Sequence, residues 1–561
     1  MCVLALAGCS LEKGFRDTSD ALSPEDTLYI DGPGYQLLPG KFYGLDYQAD
    51  LMFARRSDAE ASDLMVVDPQ RQKMCELPGA VNYRHWVPPW IAYQSEADEN
   101  GFGRLRFATP QCEPLNFELS SARLPFDITE KGEAVIRVGD GIVRADPLTS
   151  EQTSIVEKFE GIRLLSFRAS DKVPNYLWLL QIDRSLTAFD ADWTQLGTYG
   201  REIRRLVGLS DSSLLLEDAD GLSILSASAG PHLSLTPFAT DACEATGGKW
   251  ITYFSPCEER RLKTRSASRG PLEFGVSVHP SLTKFVSLPD DKRPGQFIDQ
   301  LYYLQDIDPN TGLGSLYVTE PLPEGSTAEA DGIDAPEPRL LAEQADLGWL
   351  SVQSEGVYVL AKVRDGIGTL MFIDREFAEH KLVTGVPRQI PNASNYGVDG
   401  FVLSNADVAT GTGELVQVDR IPSGSESPVP AVNFAAAKVP LDGGFIADTG
   451  SGSAVLQDFD GARGTLAMAS GPRIGQSAGS GVPKWGFVSL TGFGLPGVAF
   501  FSQYNFEKGT GNLEYWNVEI DARGIVSNNV SEFMLVPWPH AGVVYAVQNG
   551  DQSGVWFARA K

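Results

Sequence analysis

LYYLQDIDPNTGLGSLYVTE, residues 301–320, is the stretch whose reading decides the fold. Two short apolar runs, LYYLQ and GSLYVT, flank a polar segment rich in Asp, Asn, Pro and Gly, the residues that favour turn geometry. Runs of this length, rich in Tyr, Leu and Val and bounded by turn residues, read as two strands of a hairpin. The same figure recurs along the chain: a strand, a polar turn, a second strand opening with Leu or Val, and often a closing Asp. It is found upstream as DLMFARRSDAEASDLMVVDPQ (50–70) and YLWLLQIDRSLTAFDADW (176–193), and downstream as VYVLAKVRDGIGTLMFIDRE (357–376) and VAFFSQYNFEKGTGNLEYWNVEID (498–521). GFIADTGSGSAVLQDFDGARG (444–464) is read as one more copy.

About twelve such units follow one another at a mean spacing of roughly 45 residues, the period of a four-stranded propeller blade. Strong helix signals are almost absent, so the expectation is an all-β chain built as a β-propeller. The hairpin would supply the middle and outer part of each blade. Less regular stretches such as PRQIPNASNYGVD (387–399) would carry the inner strand. The pattern resembles the broad bacterial propeller superfamily from about residue 28 onward, without a WD dipeptide, a sialidase Asp box or a regular kelch series. Twelve blades exceed the roughly four to eight that usually close one ring. Two tandem propellers of about six blades are therefore expected, at 28–275 and 276–561, with the boundary near 262–292, where the hairpin pattern is interrupted. The Pro-rich acidic stretch 320–339 and the segment 421–433 read as long surface loops.

Composition narrows the partners. The 561 residues carry a formal charge of -27, which argues against nucleic acid and against direct adhesion to anionic lipid. Membrane association is expected instead through the N-terminus, MCVLALAGCS (1–10), where Leu6, Ala7, Gly8 and Cys9 fall in lipobox register. These residues resemble a bacterial lipoprotein signal peptide, shortened at its basic, apolar front. The resemblance implies that 1–8 are removed, that Cys9 is acylated, and that 9–27, polar and poor in apolar side chains, form a flexible tether. In the Gram-negative lipoproteins that this N-terminus resembles, Ser rather than Asp after the cysteine implies export onward to the outer membrane, so Ser10 leads to the expectation of an outer-membrane lipoprotein facing the periplasm or the surface. The most apolar later stretch, LTGFGLPGVAFF (490–501), is well short of the roughly 20 residues a spanning helix needs.

Of six cysteines, Cys75, Cys112, Cys243 and Cys257 remain once Cys2 and Cys9 are set aside. An even remainder in an exported chain suggests disulfides, and proximity in sequence suggests Cys75 with Cys112 and Cys243 with Cys257; four free thiols are the alternative. No zinc spacing occurs.

Several motifs invite chemistry. Asp306, Asp308 and Asn310 alternate as calcium ligands do, although Gly comes late and Tyr317 stands where a closing acid belongs; an Asp-Pro-Asn-Thr-Gly turn explains the same residues without an ion. IADTGSGS (446–453) looks like an aspartic-protease turn, but Asp448 has no second Asp-Thr-Gly to share a proton with. GQSAG (475–479) matches a nucleophile elbow around Ser477, without the helix that must follow. NYRHWVPPWIAY (82–93) and LVPWPHAGVVY (535–545) set Trp86, Trp90, Trp538 and His540 just before a strand, either to line a recognition surface or to pack between blades.

The function these features imply is non-enzymatic: a lipid-anchored envelope propeller that binds or scaffolds a protein, a glycan or an envelope complex. In lipobox and repeat it resembles the outer-membrane assembly lipoproteins. The alternative is a propeller lyase, hydrolase or quinone-dependent oxidoreductase with its site in a central channel. VRADPLTSE (143–151) is only faintly similar to quinoprotein repeats, whose closing Trp is missing. No cofactor is implied beyond calcium.

Overall fold

The computed structural model describes residues 30–560 apart from 57–62, 69–72, 86–89, 158–164, 171–172, 183, 201, 211–212, 228–232, 248–249, 267–268, 291–294, 324–325, 327–331, 333, 335, 354, 389–399, 408, 420, 422–428, 443–445, 492–495 and 537–540. The described chain is strand and turn, with two short 3-10 turns at Pro280–Leu282 and Gly550–Gln552. The expectation of an all-β chain holds.

The opening stretch forms the expected hairpin. Phe297–Gln305 pairs antiparallel with Gly314–Thr319, matching Leu301 to Thr319 and Gln305 to Ser315. Its inward run Leu301–Leu304 is fully buried, and so are the corresponding runs Leu51–Ala54, Leu64–Val67, Ile251–Phe254 and Val357–Ala361. These middle strands lie within their sheets and are covered on both faces, which is why they read as near-continuous apolar runs rather than as alternation. Burying each such Leu, Phe or Val side chain contributes about 1.5–3 kcal/mol.

Strand pairing among the described residues gives nine sheets. Five are four-stranded antiparallel meanders, and one has three strands, Gly400–Asp407, Thr412–Val418 and Val432–Pro440. The three larger sheets each divide at a long strand. Arg339–Gln353 pairs through its first half with Gly314–Thr319 and through its second half with Gly356–Arg364, so it ends one meander and begins the next. Ala522–Val536 does the same, and Pro114–Ala122 joins its neighbouring meander through the single pair Val138 and Ala122. Divided in this way the described sheets form twelve successive units, numbered here in chain order: unit 1 is residues 42–77, unit 2 is 82–119, unit 3 begins at 122, and unit 12 runs from 530 to 560. This is β-propeller organisation: consecutive meanders, each laid face to face on the next.

A buried cluster fills every step. Phe53 and Val66 of unit 1 meet Ile91 and Tyr93 of unit 2, and comparable clusters join each later pair. The expected boundary at 262–292 is no exception, since Phe254 and Leu262 share a core with Val278, Leu301 and Tyr303.

The first and last described strands meet. The first strand, Ile30–Pro39, is the outer strand of the last unit, paired antiparallel with Gly554–Ala560. Leu37 and Leu38 then pack with Met52 and Met65 of unit 1 and with Val544 and Phe557 of unit 12. Gly34 makes this approach feasible: its φ is +77, and a Cβ there would stand 2.1 Å from the Phe557 carbonyl oxygen. The first strand thus belongs with the end of the chain, across the boundary that the sequence suggested.

Both cysteine pairs form. Cys75, on the outer strand of unit 1, is bonded to Cys112 in a turn of unit 2, and Cys243 is bonded to Cys257 within one unit. Two disulfides of this kind mark a chain folded in an oxidising compartment. No helix among the described residues is long and apolar enough to cross a membrane.

Candidate functional site

A four-stranded meander puts its second-to-third turn and the link to the next unit at one end, and its other two turns at the opposite end. Contacts between units keep this order. Arg388, in a link, reaches the Thr311 carbonyl in a second-to-third turn and the Asp346 carboxylate in another link. Arg463 donates to the Tyr504 carbonyl at 3.2 Å, at the same end. At the opposite end, Arg473 donates to the Glu519 carbonyl at 3.2 Å. The linking end is acidic, because its second-to-third turns carry Asp98, Asp140, Asp218, Asp308, Asp365 and Asp460.

The residues singled out in the sequence disperse. Asp306, Asp308 and Asn310 lie in one of these turns, where the Asp308 carboxylate accepts the Asn310 backbone N–H at 2.9 Å. That bond and others within the turn hold its carboxyl below the usual range, the behaviour of an Asx turn that closes on itself. Among the described residues no three His, Cys, Asp or Glu side chains converge as metal ligands would. Of the two readings of Trp90, the structure shows packing between blades: it is 1% exposed, packs edge-on against Phe107 and donates to the Gly132 carbonyl at 3.2 Å, so it fills the seam between units and offers no surface. Trp86, Trp538, His540 and Cys9 lie outside the described residues. Ser477 begins the strand Ser477–Pro483 rather than a helix, and the Asp448 carboxylate accepts the Gly450 N–H of its own turn at 2.9 Å.

The linking end holds an aromatic surface that the sequence did not announce. Trp485, in the link VPKWGF, is 58% exposed, and Phe506, in the neighbouring turn, is 49% exposed. Trp485 meets the buried rings of Phe501 and Tyr504 edge to face, at 5.6 and 5.0 Å between centroids, and Tyr504 meets Phe506 in the same way at 5.1 Å. Two exposed rings are therefore held in place by two buried ones. Beside them Lys484 pairs with Asp442 at 2.5 Å.

One buried acid is perturbed. Asp127 lies at the opposite end, where its carboxylate accepts the Trp193 indole N–H at 2.7 Å across the seam between units 3 and 4. Burial pushes its pKa up to about 6, against the lowering effects of Trp193 and Arg84. His85 in unit 2 is buried, and burial lowers its pKa; its Nδ1 donates to the Trp90 carbonyl at 3.0 Å. Perturbed groups often mark active sites, but Asp127 faces an indole and an arginine and lines neither of the clefts found at the linking end.

No family model matches the chain, and no curated protein matches it. Among solved structures it is similar to dihydro-heme d1 dehydrogenase NirN in complex with DHE, at 14% identity over 62% of this chain and 73% of that one, with a TM-score of 0.27. Apo AztD from Citrobacter koseri is 11% identical over 61% of this chain and 94% of its own, with a TM-score of 0.25. The extracellular domain of BT4673 from B. thetaiotaomicron is 10% identical over 93% of this chain and 70% of its own, with a TM-score of 0.20. These likenesses are of fold only; the propeller class rests on the strand order given above.

Proposed function

We propose that this chain is a lipid-anchored envelope protein that acts as a binding module, holding a protein or glycan partner against the linking end of its sheets. The observation that carries the reading is the aromatic surface at Trp485 and Phe506. Exposed aromatic rings held by packing present area at small entropic cost, and aromatic residues are enriched where partners bind. The anchor is the acylated Cys9, followed by the tether 9–27. The two disulfides support export, and the charge of -27 points to a neutral or basic partner.

We also propose that the units form one closed circuit rather than two rings. The pairing of the first strand with the last and the unbroken series of shared cores support this arrangement.

The test uses the full natural leader. Cys9→Ala should move the folded protein from the membrane pellet to the soluble fraction, and retention in the pellet would overturn the anchor. Trp485→Ala with Phe506→Ala should abolish co-purification of envelope partners after cross-linking, without altering thermal unfolding. Unchanged co-purification would overturn the binding surface.

A further inference from the structure

The linking end holds a second feature, separate from the aromatic surface. A cleft of about 400 Å³ lies where three segments converge: the long strand Ala522–Val536 as it passes from unit 11 to unit 12, the second-to-third turn of unit 12 at 548–553, and the first strand at Pro33. That is within the size range of small-molecule sites. Its walls are set close together. A Cβ on Gly32 would stand 2.6 Å from the Val526 carbonyl oxygen, so the first strand lies directly against unit 11, and the buried Tyr545 of unit 12 donates its hydroxyl to the Pro33 carbonyl.

In a chain with 73 acidic and 46 basic residues, no side chain that lines this cleft is charged. Four are exposed amides: Asn528, Asn529, Asn549 and Gln552. Asn549 occupies the N-cap position of the turn Gly550–Gln552, where an Asn side chain ordinarily accepts a backbone N–H, yet it makes no such bond. Asn529 is held through its backbone, at a φ of +57 and with its carbonyl accepting the Gln548 N–H at 3.1 Å. Among the described residues no protein group is hydrogen-bonded to any of the four side-chain amides. Each therefore meets water, which a ligand's polar groups can replace at little cost. Trp556 adds an aromatic wall, and its indole N–H donates to the Gln552 carbonyl at 3.3 Å, which ties the ring to the turn that carries two of the amides.

A pyranose has the surface to match. Its ring face carries C–H groups, which the negative face of an aromatic ring attracts, and its edge carries hydroxyls, each both donor and acceptor as an amide is. A charged ligand would find no counter-ion in this lining. We propose that the cleft binds a neutral sugar, with a pyranose ring against Trp556 and its hydroxyls on Asn528, Asn529, Asn549 and Gln552. The site is separate from the Trp485 surface and does not rest on the partner-binding reading.

Isothermal titration of the full chain with glucose, galactose, mannose and N-acetylglucosamine tests the proposal, with acetyl-triglycine amide as a neutral peptide in comparison. At least one sugar should bind more tightly than the peptide, with an affinity that does not fall as salt is raised, because no ionic contact is screened. Asn528→Ala with Asn549→Ala should weaken that binding 10-fold or more while unfolding as the native chain does, since neither side chain bonds to the protein. Trp485→Ala with Phe506→Ala should bind the sugar as the native chain does, so the two surfaces fail or stand separately. Binding of none of the four sugars, tighter binding of the peptide, an affinity that falls with salt, or binding that survives the loss of both Asn side chains would overturn the site.

Discussion

Asp127→Asn should stabilise the protein relative to the native chain, by an amount that grows with pH. Burial raises the Asp127 pKa from an ordinary 3.8 to about 6, so the folded state holds this proton more tightly than the unfolded state does. Below pH 3.8 both states are protonated and the group costs nothing. Between 3.8 and about 6 the unfolded chain releases its proton first, and the penalty accumulates as pH rises. Roughly two units at 1.36 kcal/mol each give about 3 kcal/mol, fully expressed above pH 6. Asparagine keeps an oxygen to accept the Trp193 N–H but carries no charge to bury. Urea unfolding of both proteins at pH 4, 5, 6 and 7.5 measures the difference, in which the titration of all other groups cancels. The variant should gain about 3 kcal/mol on the native chain across this range, most of it below pH 6.5. A flat difference would show that Asp127 is not desolvated. A difference of opposite slope would show that the Arg84 guanidinium outweighs burial and holds the carboxylate charged.

Replacing Cys75 and Cys112 together by Ser should cost about 4 kcal/mol, and replacing Cys243 and Cys257 about 3 kcal/mol, because the first pair closes the longer loop. Unfolding free energies of the two double variants should rank in that order, and the reverse would refute the loop argument. Cutting the chain between residues 262 and 292 should give halves that fail to unfold cooperatively alone, since each would expose an open first and last unit with unpaired edges. Two halves that each melt in a sharp transition would restore the reading of two tandem rings.

The middle hairpin of each unit was legible because its strands are covered on both faces and its turn carries Asp and Gly. Leu301–Leu304 and Gly314–Thr319 show why: burial leaves an apolar run, and the turn interrupts it. The inner strands were not legible. Asn82–His85 and Asp127–Ile128 are short and polar, and they are defined by their partners in register rather than by any periodicity of their own. One hairpin was read a strand too early: in 444–464 the segments Ile446–Asp448 and Ser453–Gln457 are the first two strands, and the buried hairpin is Ser453–Gln457 with Arg463–Met468 around Asp458 and Asp460. Trp485 gave no signal because a single Trp in a Gly- and Pro-rich link has no pattern. The cleft at Asn528 and Asn549 depends on the convergence of two units with the first strand, and the meeting of the first and last described strands on a contact spanning nearly the whole sequence. Local reading reaches neither. The cysteine pairs, by contrast, were legible from proximity, because both pairs join neighbouring strands and turns.

The claim on which the architecture depends is that the first strand closes the circuit on the last. Gln36 and Trp556 are register partners across that seam, so a chain carrying Gln36→Cys and Trp556→Cys should form an intramolecular disulfide under mild oxidation. Peptide mapping should then recover a cross-linked pair containing residues 36 and 556, beside the native bonds of Cys75 with Cys112 and Cys243 with Cys257. Recovery of both native bonds with residues 36 and 556 still free would place the strands Ile30–Pro39 and Gly554–Ala560 apart and contradict the closed circuit.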